Sequence, residues 1–565
     1  MDPSNKKEKD QVHIVEKVKR PHRDSDLSDQ LGDAHFNILP QRRIITILLI
    51  LALANLVSFA DQTGITVGLS AIASDLNSEK TINWAGTASL LANCVCQILF
   101  GRLSDIFGRK NVLMWCLAIL IIGQVACSTA RNGPEFYVFR ALAGIGNGGV
   151  SSLGMVILSD IVSLKDRGKY QGILGASVGL GNIVGPFVMS AFVKHYSWRG
   201  FYYLFAPLGC LVNVAIYFTI DGNTKLDGVL SKKEKFKKID YLGIIIASIA
   251  LTCLLVAISG SGTSFPWDSK LTITLFCVGG IAFIVFFLVE WKIPELPMIP
   301  LRLFKSPSMC LLFASTFLFG ATYFSLLYYL PYYFQIVRSK SEIQTSVFIV
   351  PLVAAQALMS IVGGQIITLT GHYFFVVCGG YALWLTGCGL LIIWNEHTSD
   401  GVLVVVMLII GTGVGFSFQP SMVAIQANCK KAERAVAIST RNVLRSFGGA
   451  IGIASGSTMI SNTLLNHLAQ IQGQSDLTEA TIDYLKDHIY SKINLAGVSA
   501  SEITTISQLY ISALRYYYYL IVTFMGICLV CSIFVKDRGL QCTDEHPVRT
   551  RKDLESSASS YTVNS

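Results

Sequence analysis

Charge is scarce in this sequence. Of its 565 residues, 14% are Asp, Glu, Lys or Arg and 52% are hydrophobic. A soluble globular domain carries about 25% charged residues, so a single soluble domain is excluded, and so is a disordered or collagen-like chain, which would be far less apolar. Uncharged runs such as Ile44 to Ala60 and Leu271 to Val289 have about the length that marks a membrane-spanning helix. The composition therefore indicates a polytopic membrane protein.

Motifs of several other protein classes are missing. There is no Gly-x-x-x-x-Gly-Lys-Ser/Thr motif, which argues against ATP as the energy source. Neither a Ser/His/Asp set nor a metal-ligand cluster is grouped as in an enzyme, so we expect no catalytic residue, cofactor or metal. No nucleic-acid-binding module is visible, and the net charge of +9 lies mainly in tails and alternate loops. The expected partners are a small-molecule substrate, protons and the lipid bilayer, with the protein acting as a monomer.

Apolar segments recur along the whole chain. Their approximate bounds are 44–67, 82–100, 111–129, 136–159, 170–192, 201–220, 241–259, 271–291, 309–334, 345–364, 373–394, 401–424, 436–461 and 510–535. Fourteen such segments predict an all-α membrane protein with fourteen transmembrane helices. We expect a disordered cytosolic tail at 1–43, a cytosolic tail at 536–565, and a long polar non-cytosolic loop at 461–510 that can form a small helical hairpin.

Basic residues alternate between the predicted loops. Eighteen Lys and Arg residues lie in the loops on the side of the chain termini, and nine lie in the opposite loops. An even number of helices places both termini on one side, and cytosolic loops carry the excess of Lys and Arg. The bias therefore predicts that both termini are cytosolic. It also supports the number of helices, because one missed helix would scramble the alternation.

Two short segments suggest an internal repeat. Gly101–Gly108 follows the second predicted helix and Gly364–Gly371 follows the tenth, with the same seven-residue spacing between glycines. If the seventh and eighth helices are an insertion, the two segments occupy matching places in two six-helix halves. We therefore predict an N-terminal half at 44–220, a basic loop with two linker helices and a following loop at 221–308, and a C-terminal half at 309–535.

The loop after the second helix carries the strongest local motif, formed by Gly101, Asp105, Gly108, Arg109 and Lys110. The glycines permit a tight turn between closely packed helices, and Asp105 can pair with Arg109, Lys110 or a neighbouring helix end. We expect a gating latch that holds one closed state and does not touch substrate; an ordinary basic loop is the alternative. The motif resembles the signature of the major facilitator superfamily, which implies the major facilitator fold.

Further motifs are similar to one branch of that superfamily, the fungal fourteen-span drug:proton antiporters. They include Phe59–Thr63 in the first helix, Arg140–Gly146 in the fourth, and a glycine-rich stretch of the fifth that ends with Gly181, Gly185 and Pro186. This stretch resembles the antiporter motif, although the two glycines that end that motif are replaced here. The resemblance implies proton-driven antiport. Fungal vacuolar transporters of basic amino acids share the same fourteen-span pattern.

Asp61 is an acidic residue within an otherwise apolar helix, and the only acid that the sequence places deep in a span. An ionisable group at that depth is costly and suggests a function. Because the first helix runs outward and the fourth runs inward, Asp61 and Arg140 should meet in the outer half of the membrane. Burial disfavours a charged carboxylate and a nearby cation favours it, a balance that would let Asp61 load and release a proton. A purely structural ion pair is the alternative.

The intramembrane glycines have a packing interpretation. Gly144, Gly146 and Gly149 fit a Gly-x-Gly-x-x-Gly pattern, but they lie within a membrane span and follow no strand, so we expect close helix contacts and no bound nucleotide. Gly181, Gly185 and Pro186 should likewise give a closely packed, kinked fifth helix that suits rocking between two states. A merely structural kink is the alternative.

Other polar residues also lie within the apolar segments. Interhelical hydrogen bonds are the first interpretation and cavity lining the second. The uncharged members are Asn55, Asn93, Gln97, Gln124, Asn147, Asn182, Gln356 and Gln419. Arg441 and Arg445 lie one turn apart at the predicted cytosolic start of the thirteenth helix, where they can snorkel to headgroups. The tyrosines within 328–333 and 516–519 are expected to form interfacial belts.

These observations combine into the hypothesis of a proton-coupled antiporter for a small organic solute, with cationic solutes among the candidates and multidrug or toxin export as the expected role. The alternative is uptake of basic amino acids into a vacuole by proton antiport. A non-transporting sensor is a weaker hypothesis, because it predicts a large signalling tail, whereas about thirty residues follow Lys536. The plasma membrane and the vacuolar membrane both fit, and the location of a tagged copy would discriminate between export and storage.

Overall fold

The computed structural model describes residues 40–540, apart from 79–80, 165, 221–239, 261–265, 293–297, 300, 431–432, 472–481, 483–484, 486–499 and 538. Within these ranges every regular element is helical. The two tails predicted at 1–43 and 536–565 lie largely outside the described residues, as does most of the basic loop after residue 220.

Fourteen long helices cover the described part of the chain, the number that the sequence predicts. They are α1 (Gln41–Asp75), α2 (Asn83–Phe107), α3 (Arg109–Thr129), α4 (Gly133–Ile161), α5 (Arg167–His195), α6 (Arg199–Thr219), α7 (Tyr241–Gly260), α8 (Lys270–Lys292), α9 (Pro307–Tyr332), α10 (Glu342–Thr370), α11 (Phe374–Leu391), α12 (Asp400–Asn428), α13 (Arg434–Ile471) and α14 (Ala500–Ile533). Thirteen are long and apolar enough to cross a membrane. The exception is α13, whose first turns carry Arg434, Arg441 and Arg445.

The helices pack as two bundles of six. One hydrophobic core joins α1 to α6 around residues such as Leu113 and Leu153. A second core joins α9 to α14 around Phe319 and Trp384. Outside the two bundles, α7 and α8 pack on each other, and α7 also packs against α2 and α13, where Leu251 is one of the buried contacts. The architecture is therefore two six-helix halves with two additional helices.

The halves meet where α2 crosses α13 and where α5 crosses α10. Backbones approach closely at both crossings. A Cβ atom on Gly168 of α5 would lie 2.6 Å from the carbonyl oxygen of Gly364 on α10, and Gly101 of α2 lies directly against Ser439 of α13. Both contacts lie at the end of the molecule that carries the α2–α3 loop, which we call the loop face. Gly101 and Gly364 thus occupy matching positions in the two halves, as the internal repeat predicts.

The polar segment predicted as a loop at 461–510 is helical at both ends. α13 continues to Ile471, with Leu464 and Leu468 buried, and α14 already begins at Ala500. Helices extend beyond their apolar segments because backbone hydrogen bonding does not require apolar side chains once the helix leaves the membrane. The predicted helical hairpin falls mostly outside the described residues.

The expected belts of interfacial tyrosine are only partly present. Tyr328 is exposed, but Tyr329 is buried and donates a hydrogen bond to the carbonyl oxygen of Ile453 at 2.5 Å. Tyr517 is also buried, and its hydroxyl lies 2.8 Å from that of Ser325. Consecutive helical residues point about 100° apart, so a run of tyrosines cannot all face the membrane surface. The belt prediction is therefore wrong for the inward-facing members.

Candidate functional site

The buried acid of α1 and an arginine of α4 form an ion pair. Nη1 of Arg140 donates hydrogen bonds to both carboxylate oxygens of Asp61, at 3.1 and 3.0 Å. The two side chains are 1% and 0% exposed. The side-chain amide of Asn147, two turns further along α4, donates to Oδ2 of Asp61 at 2.9 Å. The structure thus brings together the two residues that the sequence analysis paired, and adds a neutral donor that it did not.

A network of polar side chains continues from this pair across α1 and α2. Ser58 donates to Oδ1 of Asn147 at 2.7 Å, and Gln62 donates to the Ser58 hydroxyl at 3.4 Å. Asn93 donates to Oε1 of Gln62 at 3.1 Å, and Gln97 donates to Oδ1 of Asn93 at 2.6 Å. Connected hydrogen bonds orient one another in a low dielectric. The carboxylate of α1 is therefore held within an ordered polar layer of the N-terminal bundle.

The glycines of α4 permit close contact with α2 and α3. A Cβ atom on Gly146 would lie 2.6 Å from the carbonyl oxygen of Cys116 on α3, while Gly144 lies directly against the carbonyl group of Ser89 on α2 and Gly149 lies directly against the Cys116 side chain. Real side chains do not fit at such distances. The packing interpretation of the Gly-x-Gly-x-x-Gly pattern is confirmed, because its three positions face neighbouring helices.

The antiporter-like stretch of α5 packs on α1 next to the buried acid. A Cβ atom on Gly181 would lie 2.9 Å from Cβ of Phe59, and Gly185 lies against the carbonyl group of Ala60, the residue before Asp61. Pro186 lies inside α5, where it removes one intrahelical hydrogen bond. Movement of α5 would therefore displace the segment of α1 that carries the Asp61 carboxylate.

A charged cluster lies at the loop face where α2 meets α3, in residues 101–110, which we call the α2–α3 loop. Most of this predicted loop is helical, since α2 continues to Phe107 and only Gly108 separates it from α3. Nη1 of Arg109 lies 2.6 Å from Oδ1 of Asp105, and its Nε lies 2.9 Å from Oδ2 of Asp160 at the end of α4. Arg102 is a second partner of Asp105, at 3.3 Å. Gly108 joins the two helices with a φ of 90°, which residues with a side chain rarely adopt. The Asp105–Arg109 pair was expected from the sequence, whereas Arg102 and Asp160 were missed.

The remaining residues of the loop motif have separate partners. The Lys110 ammonium donates to the carbonyl oxygen of Tyr217 on α6 at 2.7 Å, outside the carboxylate cluster. Gly101 lies against Ser439, whose hydroxyl is 2.9 Å from that of Ser152 on α4. The loop is thus connected both to α4 and to the C-terminal half.

The two arginines of α13 do not reach the membrane surface. Arg441 and Arg445 are 1% and 6% exposed. Nη2 of Arg441 donates to the carbonyl oxygen of Phe418 on α12 at 2.5 Å, and the guanidinium of Arg445 lies over the Phe418 ring, 5.0 Å from its centroid. The snorkelling prediction is wrong because α9 and α12 cover this side of α13, so both side chains face protein.

Comparison with known proteins decides the family. The sequence profile described as "Major Facilitator Superfamily" matches residues 51–453. The chain belongs to this superfamily. "Citrate exporter 1" of Yarrowia lipolytica is 40% identical over 526 residues, which cover 92% of this chain and 76% of that protein. "Efflux pump dotC" of Dothistroma septosporum is 33% identical over 433 residues, which cover 77% of this chain and 74% of that pump.

A solved structure shows the same fold in a distant facilitator. The proton:xylose symporter XylE superposes with a TM-score of 0.57 at 14% sequence identity, covering 89% of this chain and 98% of that one. At this identity the likeness concerns the fold alone. The family match and the apolar helices make this facilitator an integral membrane transporter for small molecules and not an enzyme.

One buried acid of this facilitator escaped the sequence analysis. Glu290 of α8 is 5% exposed, although it lies two residues from Lys292 at the helix end, and its Oε1 accepts a hydrogen bond from the backbone N–H of Met298 at 3.1 Å. Its burial comes from protein contacts at the end of α8 and not from depth within the span. Within the described residues, no group of three His, Cys, Asp or Glu side chains could hold a metal.

Proposed function

We propose that this facilitator exports a small organic solute in exchange for protons, and that Asp61 carries the proton. The observation that carries the proposal is the fully buried pair of Asp61 with Arg140. A buried ion pair is a poor source of stability, because desolvation offsets most of the attraction. Intramembrane ionisable groups mark proton and substrate pathways in transporters. A role in transport therefore explains the buried Asp61–Arg140 pair better than a contribution to folding stability does.

Protonation of Asp61 would change the surroundings of Arg140 in a defined way. A neutral carboxyl group attracts the guanidinium less strongly, and two other acceptors are already close to Nη2 of Arg140. These are the backbone carbonyl oxygen of Asp61, at 3.5 Å, and the hydroxyl of Ser89, at 3.4 Å. Arg140 can thus keep hydrogen bonds in both protonation states, which allows the proton to be loaded and released without leaving a bare buried cation.

The charged cluster of the α2–α3 loop is the proposed gate. It ties Asp105 and Arg109 to Asp160, beside the crossing where Gly101 meets Ser439. This arrangement supports a closed loop face, from which opening requires the cluster to separate from α4 or α13. We assign the loop face and both chain termini to the cytosol, since the loops on that side are rich in Lys and Arg.

Two relatives support export as the direction of transport. One bears the name of a citrate exporter and the other that of an efflux pump. Export of drugs or toxins and export of a metabolite both fit these names, and the plasma membrane is the site where either would act. Storage of solutes in a vacuole would use the same proton antiport. Location of a tagged copy at the cell surface supports export to the medium, whereas location on the vacuole supports storage.

The test of proton coupling is transport by purified protein in liposomes with an imposed pH gradient. Labelled citrate and a cationic dye serve as probes, and a pH-sensitive dye reports proton movement. We expect the gradient to drive solute movement in the wild type and in Asp61→Glu, and to have no effect in Asp61→Asn. Solute flux that is unchanged by Asp61→Asn, or by collapse of the gradient, would rule out the proposed proton carrier.

Asp75→Asn is the matched control. Asp75 lies on the same helix as Asp61, but it is half exposed and pairs with Arg199. The variant makes the same chemical change outside the membrane-embedded network, so it should leave gradient-driven transport intact. If both asparagine variants lose transport equally, the loss at Asp61 reflects a general defect of α1 and the assignment of the proton to Asp61 fails.

A further inference from the structure

We propose that Arg441 and Arg445 of α13 form a binding subsite for the carboxylate groups of the transported solute, which makes that solute an organic anion. The inference deepens the proposed transport function by naming a substrate class. It concerns binding, which needs no proton gradient, so it can be tested separately from proton coupling.

Arg445 is buried, and no described residue accepts a hydrogen bond from it. It is 6% exposed, and its guanidinium lies between two rings, 5.0 Å from the centroid of Phe418 and 5.8 Å from that of Phe324. Among the residues that the structure describes, none accepts a hydrogen bond from it, and Nε is buried without a partner. Aromatic rings attract a guanidinium and hold it in place, but they leave its N–H groups free to bind a ligand.

Arg441, one turn before Arg445, is only partly satisfied. It is 1% exposed, and its hydrogen bonds go to neutral groups, namely the carbonyl oxygen of Phe418 at 2.5 Å, the hydroxyl of Ser421 at 3.3 Å and the side chain of Asn442 at 3.3 Å. Its Nε has no partner. Two cations are therefore stacked on one face of α13 with no negative charge in contact with either, as far as the described residues show.

Two arginines of the N-terminal half have acidic partners. The buried Arg140 is paired with Asp61, and the partly buried Arg109 is paired with Asp105 and Asp160. Removing a charge from water costs several kcal/mol when no partner compensates, and the two cations on α13 also repel each other. An anion that enters between the halves would supply the missing compensation.

The surroundings of Arg445 have the polar groups of a binding site. Tyr323 of α9 lies close enough to Arg445 to interact electrostatically, and it donates a hydrogen bond to Oε1 of Gln356 on α10 at 2.8 Å. Both side-chain amide atoms of Gln419 on α12 are buried, as is Oδ1 of Asn182 on α5, and none of them has a partner in the part of the chain that the structure describes. Buried polar atoms whose hydrogen bonds are not satisfied by protein are expected where a ligand or water supplies the missing partner.

This cluster of polar side chains lies at the seam between the two halves. Asn182 reaches the Tyr323 hydroxyl from the N-terminal bundle, and a Cβ atom on Gly175 of α5 would lie 2.5 Å from Cγ of Gln419. Rocking of α5 away from α10 and α12 would therefore uncover the cluster. The same seam movement that gives alternating access would open and close the arginine subsite.

The chemistry of the subsite selects its ligand. Guanidinium groups bind carboxylates through paired hydrogen bonds, and two of them separated by one helical turn suit a solute with more than one carboxylate. A cationic drug or a basic amino acid would be repelled by both arginines. The subsite therefore favours an organic di- or tricarboxylate over the cationic solutes that the sequence analysis considered.

The test is equilibrium binding to the full chain in lipid nanodiscs, by calorimetry at constant pH. The probes are citrate, succinate, lactate, lysine and tetraphenylphosphonium. We expect citrate or succinate to bind the wild type, and Arg445→Gln to weaken that binding by about 10- to 100-fold, as expected for hydrogen bonds to a charged group. Arg441→Lys keeps the charge without the planar fork and should weaken binding less than Arg441→Gln.

Arg515→Gln is the matched control, since it also removes one arginine but lies exposed on α14, where its Nε donates to the carbonyl oxygen of Ile392. Its affinity for citrate should equal that of the wild type. Thermal unfolding checks that each variant is folded. The proposal is overturned if no carboxylate binds the wild type, if a cation binds and is unaffected by the arginine variants, or if Arg445→Gln and Arg515→Gln have equal effects. Loss of gradient-driven transport with intact citrate binding would instead count against proton coupling alone.

Discussion

Gly168 of α5 and Gly364 of α10 meet so closely that a Cβ atom on Gly168 would lie 2.6 Å from the carbonyl oxygen of Gly364. The equivalent contact in the repeat joins Gly101 to Ser439 on the other side of the seam. The two halves are thus held together at the loop face by two crossings that depend on small residues.

Substitution of Gly168 or Gly364 at the α5–α10 crossing should destabilise the closed arrangement of the loop face. Because the obstacle is backbone, Gly168→Ala or Gly364→Ala must push α5 and α10 apart, at a cost of about 1–3 kcal/mol for an overpacked contact. We expect a lower unfolding temperature and slower transport. The two changes should be less than additive in the double variant, because they disrupt one contact. Gly379→Ala on α11, where nothing lies within 4 Å of the added atom, should be neutral or slightly stabilising.

A side chain in place of Gly108, between α2 and α3, should destabilise the protein. Gly108 has φ of 90° and ψ of 141°, a region that is nearly restricted to glycine. Gly108→Ala should destabilise the protein by about 1–3 kcal/mol, measured by thermal unfolding. Gly371 ends α10 with φ of 73° and ψ of 4°, in the left-handed helical region that asparagine also enters. Gly371→Asn should therefore be tolerated, and equal losses for the two variants would contradict the backbone explanation.

Removal of one carboxylate from the loop cluster should slow transport more than it destabilises the protein. In Asp105→Asn, Arg109 keeps Asp160 but loses a charge-assisted hydrogen bond of about 1.5–3 kcal/mol. If that bond is specific to the closed state, the equilibrium between closed and open shifts by roughly 10- to 100-fold. Initial transport rates in liposomes, compared with the unfolding temperature, test this. Asp166→Asn removes an exposed carboxylate at the same face and serves as the control, for which wild-type rates are expected.

The Asp75–Arg199 ion pair, at the end of the molecule opposite the loop face, should contribute stability that depends on pH. The Arg199 guanidinium, helped by the indole N–H of Trp198, lowers the pKa of the half-exposed Asp75 carboxyl below its ordinary value. A group whose pKa is lowered by folding stabilises the protein above its unfolded pKa, and the contribution disappears as pH falls through the folded pKa. The wild type should thus unfold at a higher temperature than Asp75→Asn at pH 6. The difference should begin to shrink as the pH drops below about 4 and vanish below the folded pKa. Salt should reduce the difference, since the pair is exposed to solvent.

Sequence reasoning paired residues of the N-terminal half that the structure brings into contact. Asp61 and Arg140 stand out because charge is rare in apolar segments, and their opposite helix directions place them at one depth. Asp105 and Arg109 stand out because they are four residues apart between two glycines. In each case the relevant information is local or follows from topology.

The sequence failed where the answer depended on which way a side chain faces. Arg441 and Arg445 were placed near headgroups because they lie at the start of a span, yet α9 and α12 cover them. Tyr329 and Tyr517 were assigned to the membrane surface, yet they point into the C-terminal bundle. Glu290, at the end of α8, is buried although hydropathy gives no sign of it. Hydropathy along the chain does not say which face of a helix meets protein and which meets lipid.

The sequence by itself determined the membrane location, the fourteen helices, the repeat and the family, because each follows from composition, periodicity or short motifs. Tertiary structure alone decided that Arg109 reaches Asp160 and that Asn147 joins the Asp61–Arg140 pair. It also decided that the arginines of α13 lie beside the seam with no counter-charge among the described residues. The reason is physical: the cost of a buried charge depends on its neighbours in space, and these come from helices distant in the chain.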